Sequence, residues 1–126
     1  MSLDHKYDDR AVIGFLEWVH CKAKNGKDIV VKARIDSGAT KSSIDQELVK
    51  TLGWGPVLGE KRIRNAHGFS TRHIVDGHIM LSGKDILEHF TIADRAHMRF
   101  PILIGRNVLR RGFLIDPNKK LPREEE

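Results

Sequence analysis

Cysteine is almost absent from this chain of 126 residues, and its scarcity excludes several kinds of site. The single cysteine, Cys21, cannot form an internal disulfide and cannot supply a CxxC metal or redox motif. It lies in a strand-like run, where a buried and inert thiol is the ordinary interpretation. A catalytic thiol needs a neighbouring group that lowers its pKa, and the local sequence offers none.

Long apolar runs are missing as well, and no stretch approaches the ~20 residues of a membrane helix. Residues 1–10 are polar and charged, without the apolar region of a signal peptide. These absences favour a cytoplasmic protein with no membrane partner, although a removed leader would leave no trace.

Positive charge predominates, with 22 Lys and Arg against 17 Asp and Glu and a formal net charge of +5. The basic residues are spread along the chain, which favours a solvated surface that attracts acidic partners. Aromatic residues make up only 6% of the chain and do not interleave with the basic ones, as single-strand nucleic-acid binding requires. Nucleic-acid binding therefore ranks last among the candidate functions.

The length fits one domain. We divide the chain into a polar N-terminal segment (residues 1–10), a folded domain (residues 11–117) and a charged tail (residues 118–126). We expect residues 124–126 at its end to be disordered. Breakers are frequent and the strand-like segments are short, so the predicted class is mainly β with one short helix. Strands are predicted at residues 12–24, 28–35, 60–64, 70–80, 86–93, 100–104 and 113–115, with one helical turn at residues 108–111.

The best helix candidate covers residues 43–52. Ser43 could cap its N-terminus, with Gln46 three residues later as in a capping box. Gly53 would end it. An Asn25-Gly26 pair predicts a tight hairpin turn between the first two strands.

The segment with the clearest chemistry is ARIDSGAT, residues 33–40. An apolar strand ends at Ile35 and delivers the carboxylate of Asp36 onto a turn, and Ser37 and Gly38 follow. Aspartic peptidases need this order, because a strand end fixes the acid and the glycine lets an amide donate to it. The hydroxyl links the two loops of the active pair. The competing interpretation is a common Asp-Ser-Gly turn after a strand.

A second motif, PILIGRNVL at residues 101–109, resembles the stretch near the end of retroviral-type proteases. In those enzymes an apolar strand runs under the catalytic loop and a glycine lets a short helix turn off it. The resemblance implies supporting roles for Gly105, Arg106 and Asn107.

A flap is expected between the two motifs, with its tip at His67, Gly68 and Phe69. An extended peptide or protein substrate would lie between this flap and Ala39, pairing its backbone as an added strand.

The resemblance extends further, to a bacterial and archaeal family labelled ATP-dependent zinc proteases and formerly a domain of unknown function. Its motifs fall at residues 17–19, 33–39, 93–95, 98, 100–106 and 115–117. The resemblance implies a closed β-barrel of the retropepsin-like (acid protease) fold. It also implies association with RimK-type ATP-grasp ligases, which add glutamate to carboxyl groups.

The chain departs from these patterns at three places. Family members more often carry Thr where Ser37 stands. Retroviral enzymes have an Asp where Thr40 stands, and it pairs with the Arg matching Arg106, so that ion pair is missing here. Their C-terminal dimer strand is not evident in residues 118–126, which leaves the mode of dimerisation open.

No zinc motif and no P-loop occur, and the seven histidines are scattered. We therefore expect no metal and no cofactor. Because the chain has a single Asp-Ser/Thr-Gly motif, peptidase activity requires a homodimer with two copies of Asp36. The alternative is a non-catalytic module that binds peptides for a RimK-type ATP-grasp glutamate ligase.

Overall fold

The computed structural model describes residues 9–123. The prediction for residues 124–126 and most of the predicted N-terminal segment lie outside the described residues. Short strands dominate: β1 (Ala11–Ile13), β2 (Leu16–Cys21), β3 (Ile29–Ile35), β4 (Ser42–Asp45), β5 (Gly59–Asn65), β6 (Gly68–Leu81), β7 (Lys84–Ala93), β8 (Ile102–Ile104) and β9 (Phe113–Ile115). Two short helices, α1 (Gln46–Leu52) and α2 (Arg106–Leu109), interrupt them. The mainly β class predicted from the sequence is confirmed.

Seven strands form one sheet in the order β2-β3-β8-β4-β7-β6-β5. An additional pairing joins β6 back to β2, so six strands are linked in a ring and β5 extends from β6. The strands β1 and β9 form a separate, parallel pair. The buried apolar core lies inside this arrangement, with Phe90, Ile44, Ile79 and Ile102 fully buried.

The first hairpin forms where the sequence predicts it, but its turn is longer than the predicted tight turn, because β2 ends at Cys21 and β3 begins at Ile29. The predicted strand at residues 12–24 is divided into β1 and β2 at Gly14 and Phe15, and β2 pairs with β3 in antiparallel register. The helical turn predicted at residues 108–111 lies two residues earlier in the structure, where α2 covers Arg106–Leu109.

In the part of the chain that the structure describes, no helix is both long and apolar enough to span a membrane.

The predicted start of the helix is wrong. Residues 42–45 form β4, in which Ser43 pairs with Thr91 and Leu103. The helix begins at Gln46, and its cap is Asp45, whose carboxylate accepts a hydrogen bond from the backbone N–H of Glu47. Pairing to two neighbouring strands outweighs the local capping pattern. The predicted end is correct, because Gly53 adopts a left-handed conformation with φ 72°.

The two tryptophans lie in different places. Trp54 packs 5.6 Å from Phe90, centroid to centroid, and its indole N–H donates to the carbonyl of Lys22. The indole N–H of Trp18 donates to the carbonyl of Pro122. The segment after β9 is thereby held against β2, where Lys119 also bonds the buried carboxylate of Glu17 at 2.6 Å.

Candidate functional site

The carboxylate of Asp36 lies at the end of β3, where the sequence places it. Its backbone N–H donates to the carbonyl of Ile104 at 2.8 Å, which ties the strand end to β8. The backbone N–H of Gly38 donates to Asp36 Oδ1 at 2.9 Å. The side chain is half-buried, and Ser37 beside it is exposed. An amide donor aimed at one carboxylate oxygen leaves the other oxygen able to engage a ligand or a second acid.

Arg106 braces the loop that carries Asp36. Its guanidinium donates to the carbonyl of Ser37 at 3.0 Å and to the hydroxyl oxygen of Thr40 at 3.1 Å. Its backbone N–H donates to the carbonyl of Ala39 at 2.8 Å. The ion pair of the retroviral pattern is absent here because Thr40 has no carboxylate. Arg106 nevertheless holds the loop at both of its ends through these three hydrogen bonds.

Beneath the loop lies a buried polar network that sequence reasoning missed. The Ser42 hydroxyl donates to Asn107 Oδ1 at 2.8 Å and accepts from the N–H of Gly105 at 2.9 Å. Asn107 also accepts from the N–H of Ser42 and donates to the carbonyl of His89. The sequence shows a hydroxyl residue, Ser42, two positions after the motif, but its burial becomes visible only in the folded chain. We call residues 36–42 and 104–107 the floor.

Gly105 has no room for a side chain. A Cβ atom there would lie 2.5 Å from the carbonyl oxygen of Lys41 and 2.9 Å from that of Ala39. The close approach of these two backbones brings the loop and α2 together. The three predicted supporting residues, Gly105, Arg106 and Asn107, thus all contact the segment that follows Asp36.

The predicted flap is a long antiparallel hairpin of β5 and β6, which we call the flap hairpin. Its turn lies at Ala66 and His67, and Gly68 has φ 115°. Phe69 is 56% exposed, and the guanidinium of Arg62 lies 4.0 Å from its ring centroid. A cation–π contact of this kind gives a modest attraction between the guanidinium and a ring that remains largely in solvent.

A cleft of about 490 Å³ opens between the floor and the flap hairpin. It is lined by Ala39, Thr40, Lys41, Ser43, Lys61, Arg62, Ile63, Arg64, Arg72, Thr91, Arg95 and Leu103. The predicted substrate-binding residue Ala39 belongs to this wall. The predicted tip residues His67, Gly68 and Phe69 do not, because the arms of the hairpin line the cleft. Six lining residues are basic and none is acidic, so the cleft offers an anion-binding surface.

Arg95 is one of three half-buried members of this basic set, with Lys61 and Arg72. It donates to the carbonyl of Phe100 at 3.0 Å and to the Ser43 hydroxyl at 3.2 Å. Burial lowers the pKa of Arg95 and the nearby charge of Arg72 lowers it further, whereas the carboxylate of Asp45 partly opposes the shift. The main cause of the shift is therefore burial, and the neighbouring cation Arg72 adds to it.

The described residues do not fit a zinc site. Across residues 9–123, no group of three or more His, Cys, Asp or Glu side chains could hold a metal ion. Three histidines instead contact one carboxylate each across neighbouring strands: His73 with Glu60, His78 with Asp85 and His89 with Asp76.

Residues 54–126 match the model of the RimB-like family, described as "Retropepsin-like aspartic endopeptidase RimB". Two curated relatives, from Desulfotalea psychrophila and Shewanella pealeana, are each named "Probable alpha-L-glutamate ligase". The first is 28% identical, with 86% of this chain and 28% of the relative covered. The second is 25% identical, with 89% and 30% covered. The chain thus spans less than a third of the length of these relatives.

Solved structures match the fold at low identity. A protein of unknown function (DUF785) from Legionella pneumophila has a TM-score of 0.59 and 16% identity, with 88% of this chain and 96% of that chain covered. EIAV protease, complexed with an inhibitor, has a TM-score of 0.58 and 19% identity, with 75% and 83% covered. Simian foamy virus protease has a TM-score of 0.53 and 15% identity, with 74% and 91% covered. These likenesses show a retropepsin-like fold.

Proposed function

Because the chain belongs to the RimB-like family of retropepsin-like aspartic endopeptidases, we propose that it hydrolyses peptide bonds as a homodimer sharing two copies of Asp36. The observation that carries the proposal is the half-buried carboxylate at the end of β3, held by the amide of Gly38. The family match begins at residue 54, so the role of Asp36 stands on this geometry and on its motif. In this proposal the six-stranded ring acts as the closed barrel of the fold.

The mechanism follows from two like carboxyl groups at close range. Two such acids share one proton, because both cannot ionise cheaply. The charged copy of Asp36 takes a proton from a bound water, which attacks the amide carbonyl carbon. The neutral copy donates a hydrogen bond to the carbonyl oxygen, and a proton then passes to the leaving amine.

The surrounding residues would position this chemistry. Ser37 would link the two loops across the symmetry axis, and Gly38 would supply the amide that steadies the acid. The flap hairpin, with His67, Gly68 and Phe69 at its tip, would close over the substrate and exclude water. Ala39 would contact the peptide backbone on the floor side.

The substrate we propose is an extended peptide rich in acidic side chains. The basic lining of the cleft, with no carboxylate among it, supports this choice. Arg72 lies on β6 of the flap hairpin and Arg95 follows β7, and both would hold side-chain carboxylates with charge-assisted hydrogen bonds. A neutral peptide would bring no negative charge to the six basic side chains of the cleft.

The test is cleavage of a glutamate-rich peptide, with a glutamine-rich peptide of equal length as the comparison. Asp36→Asn should reduce kcat by at least about 10²-fold, as loss of acid–base catalysis does. The matched control is Asp94→Asn, which changes an exposed carboxylate that accepts a hydrogen bond from the backbone N–H of Ala96. Unchanged turnover by Asp36→Asn would reject the mechanism.

A second variant tests whether the cleft selects acidic peptides over neutral ones. Arg72→Gln should raise KM for the glutamate-rich peptide by about 10-fold and leave the glutamine-rich peptide unaffected, since one charge-assisted hydrogen bond is worth about 1.5–3 kcal/mol. The control is Arg110→Gln, an exposed arginine outside the cleft. Equal effects on both peptides would reject an acidic substrate.

One observation favours the accessory alternative, in which the chain binds acidic peptides for a RimK-type ATP-grasp ligase. The curated relatives that align with most of this chain are named as glutamate ligases. In that case the wild-type protein and Asp36→Asn would bind the glutamate-rich peptide equally well, and neither would cleave it.

A further inference from the structure

A second cavity, of about 380 Å³, shares no lining residue with the cleft. Strand β2 forms one side of it, and the turn between β6 and β7 at Ser82 and Gly83 forms another. The segment after β9 forms the third side. We call this space the β2 cavity. The proposed peptidase chemistry uses none of its residues, so it is a candidate for a separate site.

Glu17 places a buried carboxylate in the wall of the β2 cavity. Its side chain is 5% exposed, and its Oε2 atom accepts from the backbone N–H of Gly14 at 2.8 Å and from Lys119 Nζ at 2.6 Å. Its Oε1 atom receives no hydrogen bond from residues 9–123. No buried side-chain oxygen in that range lacks a partner, so Oε1 must reach solvent, and Glu17 lines the cavity. One carboxylate oxygen can therefore accept a hydrogen bond from a ligand.

Basic side chains surround this acid. Lys119 already neutralises Glu17, and Arg123 and His20 also line the cavity. Within the described part of the chain, the side chains of Arg123 and His20 make no hydrogen bond or ion pair. Lys119 and Arg123 would repel a purely cationic ligand, and Glu17 would repel a purely anionic one. A molecule that carries both charges can bond its ammonium to Glu17 and its carboxylate to Arg123.

The rest of the cavity wall is largely apolar. Trp18, Met80 and Pro122 contribute a ring, a thioether and a pyrrolidine. The indole N–H of Trp18 already donates to the carbonyl of Pro122 at 2.7 Å, so the ring offers packing surface and no further donor. An aliphatic group placed against these side chains would remove apolar surface from water.

We infer that the β2 cavity binds a free α-amino acid with an aliphatic side chain. Its ammonium donates to Oε1 of Glu17, its carboxylate accepts from Arg123, and its side chain packs on Trp18. The bound molecule joins β2 to the segment after β9 and holds that segment in place. The inference stands apart from the proposed function, because no residue of the β2 cavity belongs to the cleft or to the floor.

The first test compares whole and half ligands on the wild-type protein by isothermal titration calorimetry. L-Leucine should bind with saturation. Isoamylamine, which lacks the carboxylate, and isocaproate, which lacks the amine, should each bind at least about tenfold more weakly, because each loses one charge-assisted hydrogen bond. Absence of saturable L-leucine binding, or equally tight binding of either half ligand, would overturn the inference.

The second test locates the binding. Arg123→Gln should raise the dissociation constant for L-leucine by about tenfold, since it removes the charged partner of the carboxylate. The matched control is Lys120→Gln, an exposed basic neighbour outside the cavity, which should leave the constant unchanged. Both variants should cleave the glutamate-rich peptide as the wild type does, which separates this site from the proposed function. Equal L-leucine binding by Arg123→Gln and the wild type would overturn the inference.

Discussion

The two walls of the cleft are held in different ways. The floor is crossed by hydrogen bonds from Arg106, Ser42 and Asn107, and it has no space for a Cβ atom at Gly105. The flap hairpin has an exposed tip, and a Cβ atom at Gly59 or Gly68 would meet nothing within 4 Å. Under the proposed function, the tightly bonded wall would hold the acid and the open wall would admit a long substrate. The placement of the acid and the entry of a substrate would then depend on separate parts of the chain.

Glycine substitution should give the largest contrast between the walls. Gly105→Ala forces two backbones apart and should lower the free energy of unfolding by about 3 kcal/mol, the upper end of the usual cost of overpacking. Gly59→Ala on the flap hairpin should change it by no more than about 0.5 kcal/mol. Urea denaturation of both variants measures the difference. Similar losses would show that the floor is no more tightly packed than the hairpin.

Hydroxyl removal should give the next effect. Ser42→Ala leaves the N–H of Gly105 buried without its acceptor and should cost about 1–3 kcal/mol of unfolding free energy. Thr51→Ala removes an exposed hydroxyl that bonds the carbonyl of Glu47 within α1, and it should cost less than about 0.5 kcal/mol. Thermal unfolding followed by circular dichroism compares the two. Equal stability of the Ser42→Ala and Thr51→Ala proteins would show that the buried network does not stabilise the fold.

The hairpin tip should be the least sensitive place in the comparison. Phe69→Ala loses an exposed ring and its contact with Arg62, so the free energy of unfolding should fall by no more than about 1 kcal/mol. Under the proposed function, KM should rise while the stability is nearly unchanged. A large loss of stability measured by urea denaturation would mean that the tip is a structural element.

Thiol chemistry gives the smallest and most specific readout. Burial raises the pKa of Cys21 to about 12, and the charge of Asp28 adds to the shift. The stabilisation from burying the neutral thiol is therefore complete below the ordinary thiol pKa of 9.0 and is lost as the pH rises through about 12. At pH 8 a thiol reagent should label the protein only in denaturant. Rapid labelling of the native protein would show that the ring opens between β2 and its neighbours.

Local patterns predicted the parts of the fold that local chemistry decides. The strands beside Asn25-Gly26, the hairpin around His67 and the end of α1 at Gly53 could all be located from turn residues and alternation. The start of α1 could not. Ser43 reads as a cap in isolation, and only its pairing with residues 91 and 103 makes it part of a strand.

The candidate site was predictable to a similar degree. The position of Asp36 at a strand end follows from its motif, but the hold of Arg106 on Ser37 and Thr40 does not, because its partners lie 69 and 66 residues away. The basic character of the cleft was hidden for the same reason. Its six cations are dispersed between Lys41 and Arg95, and only the folded chain collects them.

The two tryptophans provide separate optical probes of this molecule. Trp54 rests against Phe90 and Gly77 near the root of the flap hairpin, and Trp18 lies under the segment that contains Pro122. A protein with Trp18→Phe would report hairpin motion through its remaining indole. A protein with Trp54→Phe would instead report release of the segment from β2. Ligand-induced closure and detachment of that segment can therefore be followed independently by fluorescence, without any added dye.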